Sequence, residues 1–476
     1  MDQFVNRIDE LDRLQALYES DAAELAIIYG RRQIGKSELV RQSIADRDDA
    51  VYYQAVQGTA TTQLRRFVEA AATTYPDITA VKEEWEPLLT YLTDRDAIIV
   101  IDEFPYLIES NEGLPSVIQH LRDTAVDESQ ATLVLTGSAI GMIHTHVLDG
   151  GAPLYGRVSQ TPNGRLELTQ LPFRSIQEFV PTYDPEERVF VYGVFGGTPR
   201  YLSPLDPSQS FGENITRLLC DPDGPLHNEP ETVLQMELNE VNTYFSVLES
   251  MASGNRSRNE IAQGAGIEST NTSYYFDRLE TLQIIEKHHP ALADPARSKR
   301  TRYQIRDPVF RFYFRYLYGR GGQYELYGEN AYADLIEPEL PDFVSETFES
   351  LCHQAVPALY ADYQLTQVPS QWWYKGREVD VVAPTDESTL IAGEAKFTNT
   401  PLGYDVLTDI EDDVEHIDWT PSGGSEPTYE FALFSRSGFK RSVEEAADER
   451  DDLRLFDLAE IVAVLESDAD QDSYSS

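Results

Sequence analysis

Two groups of residues in this chain have the types and spacing to do chemistry. The first is "GRRQIGKS", Gly30 to Ser37, of the form G-x-x-x-x-G-K-S. An apolar run precedes it and a helix-compatible stretch follows, the context in which such a loop cradles phosphate. The glycines let successive backbone N–H groups turn inward, and the start of a helix adds partial positive charge. Gly30, Arg31, Arg32, Gln33, Ile34, Gly35, Lys36, Ser37 and Glu38 are therefore the expected nucleotide-contacting stretch. Within it Lys36 would reach the β and γ phosphates of ATP, and the Ser37 hydroxyl would hold Mg2+. Further on, "AIIVIDEF" reads as a buried strand tipped by Asp102 and Glu103. Asp102 suits the Mg2+ shell and Glu103 suits orienting an attacking water.

The second group centres on "GEAKF", Gly393 to Phe397. Of 38 Lys and Arg residues only seven are lysines: Lys36, Lys82, Lys287, Lys299, Lys375, Lys396 and Lys440. Lys396 stands two residues after Glu394, so on a strand the two side chains share a face. A second strand-like run, Val379 to Val382, carries Asp380. If the runs pair as a hairpin, Asp380 meets Glu394 and Lys396. Two carboxylates could then bind Mg2+ or Mn2+ through oxygen, and the lysine could position a water or steady a phosphate.

The elements that must position these groups follow from periodicity. Arg7 to Tyr18 reads as an amphipathic helix. Apolar runs at Leu25–Tyr29, Val51–Val56, Ile98–Ile101 and Thr132–Leu135 alternate with helical segments, the pattern of a parallel α/β sheet. The expected divisions are a core over 1–165, a helical piece over 166–235, a small helical domain over 236–325, an α/β domain over 335–466 and a disordered tail over 467–476. The run "LVLTGS" would place Thr136 and Ser138 beside the nucleotide, either as a sensor of the γ-phosphate or as an ordinary strand end. In "PLYGR", Arg157 is either a surface arginine or one that reaches the nucleotide of a neighbouring subunit, which would make the protein a homo-oligomer. The helix expected at "DVLTDIEDDVEHIDW" reads as solvated.

Bulk composition sets limits. At 476 residues the chain is too long for one ordinary core, and 41% hydrophobic content excludes a disordered chain. No apolar run is long enough to span a membrane and no signal-peptide core is visible, so a cytoplasmic protein is expected. Cys220 and Cys352 offer no disulfide or zinc framework. The net charge of −44 reads as an adaptation to a high-salt, halophilic cytoplasm. It argues against nucleic acid in general, yet residues 287–322 invert it. Lys287, Arg297, Lys299, Arg300, Arg302, Arg306, Arg311, Arg315 and Arg320 face only Asp294 and Asp307 there. The expected contact for duplex DNA is residues 270–306, which take in the first part of that block; packing against acidic neighbours is the other reading.

"FVNRIDELDRL", "GRRQIGKS", "VIDEFPYL", "LTGS", "LYGR" and "GGTPRYL" together resemble the archaeal-type P-loop ATPases related to AAA+ and STAND proteins. The resemblance covers about residues 1–235. It implies an AAA+-like parallel sheet with a helical lid over 166–235, and it implies that Arg7 and Pro199 lie near the adenine or ribose. Arg200 is the arginine it offers for the lid. Residues 236–325 resemble a winged helix-turn-helix, with "IIEKHH" and "RTRYQI" as wing strands. Residues 340–435 resemble the PD-(D/E)XK nuclease superfamily, a restriction-endonuclease-like α/β fold. This implies Glu349, Asp380 and Glu394 as metal ligands with Lys396 beside them, in either a cleaving domain or an inert module of the same fold.

Overall fold

The protein is described by a computed structural model that covers residues 4–124, 129–238, 240–386, 388–421, 424 and 426–467. The expected tail therefore lies almost entirely outside the described residues. The chain forms two compact units. One runs to Leu171 and takes back Thr198–Arg200; the other comprises Pro172–Gly197 and everything from Tyr201 on.

The first unit is built on five parallel strands: β1 (Glu24–Tyr29), β2 (Ala50–Gln54), β3 (Ile98–Asp102), β4 (Thr132–Gly137) and β5 (Arg165–Glu167). Their spatial order is β2-β3-β4-β1-β5. β1 and β3 are near-continuous apolar runs because helices cover both faces of the sheet. One face packs Leu25, Ile27, Ile99 and Ile101 against Phe67, Leu88 and Leu107. The other packs Ala26, Ile28, Val100 and Val134 against Leu14 and Leu17 of the helix Ile8–Tyr18 and Leu39 of the helix Lys36–Ser43. The alternation of β1 between these two cores is the period of 2 at work. β5 pairs with β1, so residues 166–171 belong to this unit and not to the helical piece assigned from sequence.

The second unit departs from expectation in how much it unites. The helical piece, the small helical domain and the C-terminal domain share one hydrophobic core. Phe195, Leu248, Phe310, Phe348 and Phe434 all contribute to it. Gly193 lets two helices touch, since a Cβ there would meet Val344 Cγ2 at 2.7 Å. Arg188, on the same helix as Gly193, ties it to a third helix with a bidentate pair to Glu466 at 2.7 and 3.0 Å.

Within this unit, helices Val241–Ala252, Arg258–Gly264 and Thr272–Thr281 precede an antiparallel pair, β6 (Ile285–His288) and β7 (Arg302–Ile305). Ser257 opens the second helix with a reciprocal bond to Glu260, a capping box. The C-terminal sheet has five strands: β8 (Ser370–Tyr374), β9 (Arg377–Pro384), β10 (Thr389–Lys396), β11 (Thr428–Ser435) and β12 (Leu453–Asp457). The order is β12-β11-β10-β9-β8, with β8, β9 and β10 antiparallel and β10, β11 and β12 parallel. The long helix Leu340–Leu359 covers one face. The helix Tyr404–Val414 covers the other with Leu407, Ile410 and Val414. The acidic helix read as solvated is thus amphipathic, and its apolar residues at i, i+3 and i+7 are the signal that its carboxylates obscured.

Candidate functional site

The glycine loop leaves β1 at the carboxyl end of the sheet, where ligands of open parallel sheets bind. Its shape depends on two glycines. Gly30 has φ +149°, and a Cβ there would lie 2.3 Å from the Leu168 carbonyl oxygen. Gly35 has φ +95°, and its α-hydrogen side faces Pro199, whose Cγ is 3.8 Å from where a Cβ would stand. Gln33 is also left-handed, at φ 68°. The helix Lys36–Ser43 starts directly after this turn, so the loop's backbone N–H groups and the helix start converge on one place. Lys36 is buried, and its ammonium donates to the carbonyl oxygens of Gly30 at 2.9 Å and Arg31 at 2.6 Å. Ile34 is buried beneath the loop, Ser37 is half-buried in the first turn, and Glu38 is exposed toward Arg41.

Asp102 ends β3 and is fully buried. Thr136 on β4 donates to one of its oxygens and the Tyr52 hydroxyl on β2 donates to the other at 2.6 Å. Burial and the neighbouring carboxylate hold the Tyr52 phenol well above its usual range, so it stays a donor. Glu103 adopts φ 55°, a strained left-handed conformation for a side-chain-bearing residue. Its backbone N–H donates to Thr136 Oγ1 at 3.2 Å, and its carboxylate accepts from Ser138 Oγ at 2.9 and 3.0 Å. Thr136 and Ser138, read from sequence as beside the nucleotide, thus orient the two acids. Tyr52 was not foreseen: β2 alternates as a strand should, and nothing local marks one tyrosine over the next.

Arg7 is buried and left-handed at φ 72°. Its guanidinium pairs with Glu10 at 2.8 Å and donates to the carbonyls of Ile34 at 3.3 Å and Thr169 at 2.5 Å. It ties the glycine loop to the chain leaving β5. Pro199 also adjoins the loop, while Arg200 is exposed. Arg157 forms a bidentate pair with Asp123, at 2.5 and 2.8 Å. An arginine so held has a partner within its own chain. The donors at the loop suit a magnesium ion: Ser37 and Asp102 offer oxygen only, and a carboxylate has lone pairs left after two hydrogen bonds.

In the second unit the expected hairpin forms. β9 and β10 pair antiparallel, and Asp380 meets Lys396 at 3.3 Å while accepting from the Ala395 N–H at 3.1 Å. Lys396 also binds Glu394. Burial pushes the Glu394 carboxyl up to about 7 and Asp380 adds to the push, against the pull of Lys396. Glu349, on the helix Leu340–Leu359, is pushed up to about 9, by burial first and Asp380 second. Burial alone would lower the Lys396 ammonium, but Asp380 and Glu394 hold it above its usual value. The neighbouring His353 donates from Nε2 to the Asp380 carbonyl at 2.7 Å. Among the described residues no three His, Cys, Asp or Glu side chains come together as ligands for a metal ion. Glu349, Asp380 and Glu394, expected as metal ligands, are not gathered as one such cluster; Lys396 pairs with Asp380 and Glu394 instead.

The basic block is also partly accounted for within the unit. Arg302 donates to Gln371 Oε1 and Glu378 Oε2, both at 2.7 Å. Arg311 binds Glu346, which also accepts from Arg256 at 2.5 Å. Arg315 lies 3.2 Å from Asp342 and 3.6 Å from Glu339. For these three arginines the packing alternative holds. Cys220 and Cys352 are free and buried, and no helix among the described residues is long and apolar enough to cross a membrane.

The parallel sheet, the glycine loop and the acid-tipped β3 define a P-loop ATPase domain. Residues 4–205 match a family described as an ATPase domain predominantly from Archaea, and residues 313–410 match a family of archaeal and bacterial proteins of unknown function. An uncharacterized protein of Methanocaldococcus jannaschii is 31% identical over 390 residues, 80% of this chain and 84% of the relative. The chain belongs to the same family as that archaeal protein. An uncharacterized ATP-binding protein of the same organism is 39% identical over 44 residues, 9% of this chain and 75% of its own. Among solved structures, a Walker-type ATPase of Pyrococcus abyssi superposes with a TM-score of 0.50 at 18% identity, covering 66% of this chain and 96% of the other. That likeness is one of fold.

Proposed function

We infer that the protein binds and hydrolyses ATP in the first unit and uses the nucleotide state to control binding of duplex DNA by the second. The observation that carries the first half is the pairing of two held groups: Lys36 anchored in the glycine loop, and Asp102–Glu103 fixed by Tyr52, Thr136 and Ser138. Backbone N–H groups of Gly30–Ser37 would grip the β-phosphate, and Lys36 would leave its carbonyl partners for phosphate oxygens. Ser37 and Asp102 would hold Mg2+, which supplies charge neutralisation of the β and γ phosphates when bound. Glu103, aimed by Ser138, would orient the attacking water. Arg7 and Pro199 would border the adenine or ribose, and Arg157 could serve a neighbouring subunit only by giving up Asp123.

Lys36→Ala tests the site. ATP turnover should fall to background while the circular dichroism spectrum and melting temperature stay near those of the native chain. Turnover that persists in a folded variant would refute the assignment.

The support for DNA is the three-helix-and-hairpin arrangement of residues 241–305, which resembles a winged helix, and its cationic loop between β6 and β7. The mixed sheet β8–β12 resembles a nuclease-like domain. The ion-paired state of Asp380, Glu394 and Lys396 favours a domain that binds over one that cuts. Plasmid incubated with the protein, ATP and Mg2+ or Mn2+ should stay intact; nicking that disappears in Asp380→Ala would instead establish a metal-dependent nuclease.

A further inference from the structure

Two stretches that are far apart in sequence bring their cations to one place in the second unit. The loop between β6 and β7 lies along the β8–β9 hairpin: Ala291 N–H donates to the Gln371 carbonyl at 2.8 Å, and Arg300 donates to the Trp373 carbonyl at 3.1 Å. Ala291 packs in the same apolar cluster as Trp372, so the loop is fixed there by burial as well as by hydrogen bonds. The hairpin turns through Lys375 and Gly376, at φ 51° and 84°, the left-handed pair that a two-residue turn requires. This turn holds Lys375 out beside Tyr374. The Tyr374 ring then has two cations over it: Arg300 with its Cζ 5.1 Å from the centroid, and the Lys375 ammonium at 4.9 Å.

Arg302, deeper in the contact, is neutralised by Glu378. The outer cations are not used in the same way. Lys299 and Arg300 are exposed, and Arg297 is 89% exposed with Asp294 3.3 Å away across a loose surface pair. Arg300 and Lys375 thus flank an exposed tyrosine on a protein of net charge −44, and Lys299, one of the chain's seven lysines, adjoins Arg300 in the loop. Solubility does not call for cations in such a chain, and the arginines that serve packing are already paired. Exposed cations gathered on one face are the chemistry that grips a phosphate backbone.

We propose that Arg297, Lys299, Arg300, Tyr374 and Lys375 form one composite ridge that binds the phosphate backbone of duplex DNA, two of its five residues supplied by the C-terminal hairpin and not by the helical domain. This rests on the reading of the second unit as a DNA-binding module, and it extends that surface beyond residues 270–306.

The test is binding of a fluorescein-labelled duplex to the full-length chain, read by anisotropy between about 50 and 200 mM salt. Lys375→Glu and Lys299→Glu should each weaken binding roughly tenfold at the lower salt and reduce the salt slope by about one. Lys82→Glu, an exposed lysine of the first unit, should change neither, and all three should keep the native melting temperature and ATP turnover. If the native chain binds the duplex and Lys375→Glu binds it equally well, the hairpin has no part in the surface and the proposal fails. If the native chain binds no duplex at low salt, or binds single-stranded RNA in its place, the underlying reading fails with it.

Discussion

Tyr52 is the residue whose importance only the fold makes visible. Its hydroxyl reaches Asp102 from the next strand at 2.6 Å, and Arg41 lies over its ring at 5.1 Å. A buried carboxylate that loses one donor regains freedom to turn, and the lost bond costs about 1 kcal/mol of stability. Tyr52→Phe should therefore fold, and its main effect should fall on magnesium. The Mg2+ concentration for half-maximal ATP turnover should rise several-fold, while turnover at saturating Mg2+ falls less. A Mg2+ titration of the variant checks this; an unchanged midpoint would mean that Thr136 alone suffices to aim Asp102. Legibility in the first unit was good for the glycine loop and the acid-tipped strand as elements, because phosphate chemistry asks for residue types at fixed spacing. It was lower for Ser138 and Arg157, whose partners Glu103 and Asp123 are set by tertiary contact.

At the scale of elements, the helix Leu340–Leu359 shows how one face can be asked to do two things. Phe343, Phe348, Leu351 and Ala355 bury it, and Glu346 and Glu349 are carried inward with them. Glu346 is repaid by Arg311 and Arg256, which hold its carboxyl below the usual range despite its burial. Glu349 is raised to about 9, by burial first and Asp380 second, against a weaker pull from Arg256. The sign follows from proton counting: between its ordinary value and about 9 the folded chain holds a proton that the unfolded chain has released. Stability contributed by this group is therefore full below the ordinary carboxylate range and is lost as pH climbs toward 9. Glu349→Gln removes the titration. Melting temperature should fall between pH 6 and pH 9 in the native chain at constant salt, and this slope should be shallower in the variant. Parallel slopes would show that another group carries the pH dependence. The strands here were legible because alternation and apolar runs survive any environment. The helix Tyr404–Val414 was not, since five acids among eleven residues hid three well-spaced apolar positions.

For the molecule as a whole, the sequence predicted four folded pieces and the structure has two compact units. Local pattern marks where a helix begins, as Ser257 and Glu260 do, but not which core it joins. That choice is made by contacts such as Gly193 with Val344 and Arg188 with Glu466, whose partners are hundreds of residues apart in the extreme case. The two readings of the basic block stayed open for the same reason: charge counts find the arginines, and only tertiary packing reveals that Glu346, Glu378 and Asp342 await some of them.

The scarcity of primary amines has a practical side. Lys36 is only 4% exposed and its ammonium is held by two carbonyls, whereas the hairpin-tip amine projects from a tight turn. Brief acetylation followed by mass spectrometry would then give a footprint of seven side-chain positions, each assignable to one element. The same few peptides would register nucleotide occupancy at one end of the chain and polyanion occupancy at the other, without any engineered label.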